Sequence, residues 1–205
     1  MISSNLSEGT GNVTDKRGKT ESNFSLRVGG VIQPVELETI NGDLIRIPDP
    51  KRRIHLQFRR YAGCPVCNLH LRSIAKRYDE IASSNVREVA VFHSKRENMV
   101  ELQGQLPFDT IADPEKKLYA MFGANRKMSP LAALNPRSWV AAVNALIRAP
   151  TLRGARGNGE GTMGLPSDFL IDTNGKILAV NYGKRIDDHW SVDRLLSLAK
   201  QKQVI

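Results

Sequence analysis

Cysteine is scarce in this chain. Two occur among 205 residues, too few for the multi-bridge framework of a small secreted scaffold. Long apolar runs are missing too: no stretch of about 18 such residues exists, so no membrane-spanning helix is predicted. The N-terminus lacks the basic-then-apolar order of a secretory signal, and the expected location is the cytoplasm. There a cysteine pair is more often redox-active or metal-binding than a structural staple. Aromatic residues make up only 6% and form no RNA-binding signature, and the basic residues behind the net charge of +9 are scattered. Specific nucleic-acid binding is therefore not expected, and most of these cations belong on solvated faces. The glycine-rich run from Gly154 to Gly161 lacks the Gly-Lys-Ser/Thr ending of a phosphate loop. No histidine stands in a Ser/Asp setting that would suggest a hydrolase.

What the chain does have is both cysteines placed together, as Cys64-Pro65-Val66-Cys67. Ahead of them, Ile54-His55-Leu56-Gln57-Phe58 alternates apolar and polar and reads as a strand. Behind them, Leu71, Ile74, Ala75, Tyr78, Ile81 and Ala82 recur at helical spacing, with Arg72, Lys76, Arg77, Asp79 and Glu80 on the other face. Gly63 belongs to the short turn between. Pro65 falls at the first helical position, where its fixed φ suits the helix and its missing N–H costs nothing. A thiol at such a helix start faces unpaired N–H groups and the positive end of the dipole, so its thiolate is favoured. The i, i+3 spacing puts the second sulfur close enough to attack whatever forms on the first. Cys64 is the expected nucleophile and Cys67 the expected resolving thiol.

Other uses of the pair fit less well. Haem attachment needs histidine directly after the second cysteine, where Asn68 stands. A zinc site needs four ligands, and Cys64, Cys67 and His70 supply three, leaving His55 or His93 as the fourth. No metal or other cofactor is expected. Buried, inert thiols are the remaining alternative, and Arg59 and Arg60 argue against it by making the helix start electropositive. Plain structural roles are expected for His55 and His70.

Residues 1–24 are polar and nearly free of large apolar side chains, which reads as a flexible tail. From residue 25 onward the pattern is that of one domain. Val35 to Ile40 and Asp43 to Ile47 flank Asn41-Gly42 as a hairpin. Val86 to Phe92 is a strand, and Ser94 with Glu97 has capping-box spacing for a helix reaching Gln103. A short helix is expected from Glu115 to Phe122. A second hairpin follows over Asp168–Asp172 and Lys176–Val180, then a closing helix from about Asp188 to Lys200. Residues 124–160 interrupt this order. Within them Ser138 to Arg148 reads as a helix with Trp139, Val140, Val143, Leu146 and Ile147 on one stripe, for packed core, a homodimer contact or a lid. The fold class is α/β, a mixed central sheet flanked by helices, with an N-terminal hairpin and a helical insertion.

This order resembles the thioredoxin fold with the extra N-terminal hairpin of peroxiredoxins. The block Arg60-Tyr61-Ala62-Gly63-Cys64-Pro65-Val66-Cys67-Asn68-Leu69-His70-Leu71-Arg72 resembles the peroxiredoxin-like branch of the alkyl hydroperoxide reductase and thiol-specific antioxidant superfamily. Phe169-Leu170-Ile171-Asp172-Thr173-Asn174-Gly175-Lys176-Ile177 is similar to that superfamily's strand-turn-strand pattern. The resemblance spans roughly Val28 to Lys200. It implies a Cys64/Cys67 dithiol–disulfide cycle that reduces a small hydroperoxide or a disulfide, regenerated by thioredoxin, glutaredoxin or glutathione. It also implies a cis bond at Leu165-Pro166, facing the cysteines. The alternative is a redox-sensing or partner-binding module without efficient turnover.

Two departures from the family pattern bear on the substrate. Gln57 and Tyr61 stand where relatives carry proline and a small hydroxyl residue, seven and three places before the first cysteine. No arginine occupies the Thr162–Leu165 stretch, leaving Arg59, Arg60 or Arg185 to take that role. Peroxide cleavage is therefore expected to be slow, and disulfide exchange competent.

Overall fold

The computed structural model describes residues 25–128 and 160–201, with positions 140, 143 and 147 between them. The polar tail 1–24 and most of the 124–160 insertion, Trp139 and Leu146 included, lie outside the described residues. Val140, Val143 and Ile147 are helical and exposed, so these three positions of the stripe pack on no core.

Strands β1 (Val35–Glu38) and β2 (Leu44–Ile47) pair antiparallel as a hairpin, turned by Gly42 at φ +93°. Five more strands form one sheet: β3 (Arg53–Phe58), β4 (Val86–Phe92), β5 (Asp109–Ala112), β6 (Ser167–Ile171) and β7 (Ile177–Tyr182). Their order is β5-β4-β3-β6-β7, with β3, β4 and β5 parallel and β6 and β7 antiparallel. Helices α1 (Pro65–Lys76), α2 (Tyr78–Ser83), α3 (Arg96–Gln103), α4 (Lys117–Met121) and α5 (Val192–Gln201) complete the described elements. Among these helices none is long and apolar enough to cross a membrane.

The sheet buries both faces. Ile54, Leu56 and Phe58 of β3, Val89 and Val91 of β4, and Phe169 and Ile171 of β6 point to one side, against the β1–β2 hairpin and α4. On the other side Ala90, Phe92 and Leu170 meet Leu71 and Ile74 of α1, Ile81 of α2 and Leu195 of α5. Strand alternation places His55, Gln57 and Arg59 on this second side as well. All three are fully buried, with Glu88 and Asp168 beside them.

Cross-strand register makes that burial tolerable. His55 is paired with Glu88 and Gln57 with Asp168 across the sheet. His55 Nδ1 lies 2.7 and 2.9 Å from the two Glu88 oxygens, and its Nε2 faces Asp168 Oδ1 at 3.5 Å. Gln57 donates to Glu88 and accepts from Arg59 Nε at 2.6 Å. Arg59 pairs with Asp168 and donates to His70 Nε2 at 3.2 Å. Burial opposes charge on His55, but Glu88 and Asp168 prevail and push its pKa up to about 9. Burial would likewise raise the Asp168 carboxyl; Arg59, then His55, hold it well below the usual carboxylate range. Burial, together with the neighbouring His189 and Arg59, keeps His70 neutral.

The structure revises several boundaries. The helical pattern after the cysteines breaks at Arg77 (φ −120°, ψ 22°), whose N–H donates to Ile74; the change of direction brings Ile81 into the core. The closing helix starts at Val192, because Trp190 N donates to Asp168 at 3.3 Å and Asp188 O accepts from Asn181. The short helix starts at Lys117, because Lys116 is left-handed at φ 57°, ψ 31°. Leu165-Pro166 is trans, and the cis X–Pro bond among the described residues is Ile47-Pro48. The trans form is the lower in free energy by about 0.5–1 kcal/mol, and the Leu165 N–H and Pro166 carbonyl are satisfied by Arg126 O and Gly183 N without isomerisation.

Removing one member of a buried ion pair leaves its partner's charge uncompensated, at a cost of about 3–5 kcal/mol. Asp168→Ala should therefore shift the urea unfolding midpoint far downward. Arg77→Ala breaks the exposed contacts to Glu80 and Asp193 and should leave it nearly unchanged. Equal, small shifts in both variants would contradict this account of the buried network.

Candidate active site

Cys64 is the N-cap of α1, with extended backbone at φ −63° and ψ 114°, and Pro65 opens the helix behind it. Its Sγ accepts from Cys67 N at 3.4 Å, and its carbonyl takes the first helical bond, from Asn68 N at 3.0 Å. Arg60 Nη1 stands 3.5 Å from the same sulfur. Both thiols are free and both are buried, at 0% and 1% exposure.

Burial alone would raise the Cys64 pKa. The Cys67 thiol donating to it, the Arg60 guanidinium and the Cys67 and Val66 backbone N–H groups prevail and bring it down to about 6. Burial, then its bond to Cys64, pushes Cys67 well above the ordinary thiol value. The pair is thus split into one thiolate and one thiol at neutral pH.

The loop carrying the nucleophile is clamped from three sides. Tyr61 O accepts from Cys64 N at 3.0 Å, closing the turn that holds Gly63. Ala62 N donates to Ser94 Oγ at 2.8 Å, and Ala62 O accepts from Asn68 Nδ2 at 3.0 Å and Gln103 Nε2 at 2.9 Å. Ser94 is therefore not the cap of α3, whose N-cap is Lys95; its hydroxyl serves the active loop and donates to Glu160 at 2.7 Å. Sequence reading missed Ser94 and Gln103 in this role, and the capping-box spacing pointed elsewhere.

A strap over the site comes from residues 160–164. Glu160 accepts from Ser94 and Asn98, Gly161 O from His93 Nε2 at 2.7 Å, and Thr162 O from Arg60 Nη2. Arg60 thereby joins the sulfur to the strap. Tyr61 is buried with the Arg60 guanidinium 5.5 Å from its ring centroid; burial, then the Cys64 charge, push its phenol up to about 12. Of the arginines proposed to stand by the sulfur, Arg60 does, Arg59 belongs to the Asp168 network, and Arg185 pairs with Asp187. Pro166 leads into β6, its carbonyl bonded to Gly183 N at 2.9 Å. His70, a ligand that zinc would need, is engaged with Arg59, and its ring lies 3.9 Å from that of His189 at a tilt of 43°. Among the described residues no group of three or more His, Cys, Asp or Glu side chains is arranged to hold a metal ion.

Residues 28–180 match the AhpC/TSA family. The chain belongs to that family, and it is a peroxiredoxin-like thiol oxidoreductase with a thioredoxin-like fold. Comparison with curated proteins finds no match. Among solved structures, it is similar to peroxidoxin BcpB from Mycobacterium tuberculosis at 16% identity and a TM-score of 0.62, covering 86% of this chain and 97% of that one. Reduced 2-Cys peroxiredoxin from Plasmodium vivax gives 13% identity and 0.61, covering 86% and 81%. A candidate thiol:disulfide interchange protein, DsbE, from Chlorobium tepidum gives 19% identity and 0.55, covering 85% and 99%.

Since the Cys64 thiol is half ionised near pH 6, its alkylation by iodoacetamide should rise with pH through that value and level off above pH 7. Arg60→Met removes a charged donor, which should move the midpoint upward and slow the reaction at pH 7 by up to roughly tenfold. Mass spectrometry of the alkylated peptides reads both. A midpoint in the ordinary thiol range for the unaltered protein would remove the basis for assigning Cys64 as the nucleophile.

Proposed function

We propose that Cys64 is the attacking thiolate and Cys67 the resolving thiol of a two-electron cycle that reduces a small hydroperoxide or a disulfide. The observation that carries this reading is the N-cap sulfur held by Cys67 N at 3.4 Å and Arg60 at 3.5 Å. With a hydroperoxide, the Cys64 sulfur attacks the terminal oxygen, the S–O bond forms and the O–O bond breaks, and the departing alkoxide takes a proton. Cys67 then attacks the sulfenic sulfur, the S–S bond forms, and water leaves. With a disulfide, Cys64 forms a mixed disulfide and expels one thiolate, and Cys67 displaces the second. An external thiol, from thioredoxin, glutaredoxin or glutathione, returns both cysteines to the reduced state.

Arg60 takes the role of the cation that polarises the substrate, and Pro65 and Gly63 shape the turn that presents the sulfur. Tyr61 offers only a buried phenol in place of a small hydroxyl, so one of two groups that would bind developing charge on the peroxide is missing. Each such donor is typically worth about 3–4 kcal/mol, so peroxide should react far more slowly than at a fully equipped site. Disulfide exchange needs chiefly a nucleophilic thiolate and a leaving thiol, and it keeps both. The working unit is one domain from residue 25 onward with an insertion at 124–160, placed in the cytoplasm where reducing thiols are abundant.

A second reading, a redox sensor or partner-binding module with slow turnover, is favoured by the burial of both sulfurs. One assay separates the two. Reduction of hydrogen peroxide and of a small disulfide is followed through NADPH consumption by a coupled thioredoxin or glutathione system. Sustained disulfide turnover that Cys64→Ser abolishes is expected, with an intramolecular bridge in the oxidised protein detected as a loss of two hydrogens without dimer. Stoichiometric oxidation without turnover would favour the sensor, and a stable Cys64 sulfinic acid beside a free Cys67 would remove Cys67 from the cycle.

A further inference from the structure

A cavity of about 260 Å³ opens beside the strap, and the redox cycle makes no use of the side chains that charge it. Lys116, Arg126, Lys127 and Arg59 line it, and no aspartate or glutamate does. The carboxylates near it in sequence are committed elsewhere, Glu115 to Lys117 at 2.6 Å. Asp113 accepts the backbone N–H groups of Lys117, Leu118 and Tyr119 at 2.9, 2.8 and 3.2 Å, and Glu160 accepts from Ser94 and Asn98. Among the described residues, no carboxylate lies within ion-pairing distance of Lys116, Arg126 or Lys127.

Two further observations point to a missing anion. Lys116 is held in the left-handed region at φ 57°, a conformation that residues with a β-carbon avoid and that gathers at ligand sites. Burial, and next the Lys127 charge, lower its pKa, and the Asp113 charge offsets them only in part. Arg126 is steadied by the Tyr182 ring, 5.2 Å from its guanidinium carbon.

We infer that this cavity binds a small molecule through a phosphate or carboxylate group, with Lys116, Arg126 and Lys127 supplying the charge. A planar guanidinium and two ammonium groups are the donor set that such oxyanions take. The volume lies just below the usual range for drug-sized ligands, which suits a metabolite rather than a peptide. The site goes beyond the thiol cycle and stands whether or not that cycle turns over.

Calorimetric titration of the reduced, full-length protein in phosphate-free, low-salt buffer tests it, with inorganic phosphate and succinate as separate probes. At least one probe should bind with Kd below about 1 mM, and the stronger of the two identifies the group recognised. Lys127→Gln and Lys116→Asn should each weaken that binding by roughly tenfold, the loss of one charge-assisted contact. Asparagine tolerates the left-handed conformation, and Lys127 is exposed, so both variants are expected to fold. Lys51→Gln, at an exposed lysine away from the cavity, should change nothing. Cys64→Ser should bind the probe as the unaltered protein does, which separates this site from the redox assignment. No binding tighter than roughly 10 mM, or equal weakening by Lys51→Gln and Lys127→Gln, would overturn the inference, whatever the thiols do.

Discussion

The arrangement depends first on a charge that the fold has no room to solvate. Arg59 follows directly on β3, at the centre of the five-stranded sheet, and it is fully buried. A guanidinium in that position is tolerable only if its charge and most of its donors are met on the spot. Asp168 meets the charge, Gln57 and His70 take two more donors, and Asp168 is held in turn by Asn181 and the Trp190 backbone. Each of these partners comes from a different part of the chain. Meeting the one charge therefore fixes the relation of β3, β6, β7, α1 and the start of the C-terminal segment. Arg60, the next residue, inherits its position from that framework.

At Cys64 two opposing effects meet, and geometry decides between them. A sulfur with no exposure ought to be an ordinary protonated thiol, because burial disfavours the charged form. The N-cap position supplies backbone N–H groups, Cys67 supplies a thiol donor, and Arg60 supplies a full positive charge in a setting of weak screening. The same low dielectric that penalises an unpaired thiolate strengthens each of these contacts. Cys67 lies inside the helix, next to the charge it helps to stabilise, and burial first, then its bond to Cys64 and the Cys64 charge, push its pKa up.

Much of the fold was legible from periodicity. Both hairpins, the central strand, Pro65 at the helix start and the cysteine pair followed from local rules. The alternation in Ile54 to Phe58 gave the strand correctly but concealed its environment. A polar face at period two normally means solvent, and here it is roofed by α1 and paired through Glu88 and Asp168, residues far away in sequence. His55 and His70 were expected to serve the structure, and the network they join is invisible without the register. Arg60 was one of three arginines that the sequence left equivalent, and tertiary placement chose among them. Ser94 and Glu97 matched a capping box by spacing alone, but the Ser94 hydroxyl has a better use at Ala62 N. The resemblance misled at Pro166, where a trans bond meets the backbone bonding needs of its neighbours.

Both sulfurs are buried, and the strap is tied to the arginine that faces the nucleophile. An electrophile that reaches Cys64 must first displace what covers it, since the sulfur presents no surface. The 160–164 segment is held by bonds from Ser94, Asn98, His93 and Arg60, and by Met163 O accepting from Met128 N at 2.8 Å. Hydrogen bonds of this kind contribute about 0.5–1.5 kcal/mol each to holding the segment in place. Arg60 links the two functions, because the guanidinium that stabilises the thiolate also holds Thr162.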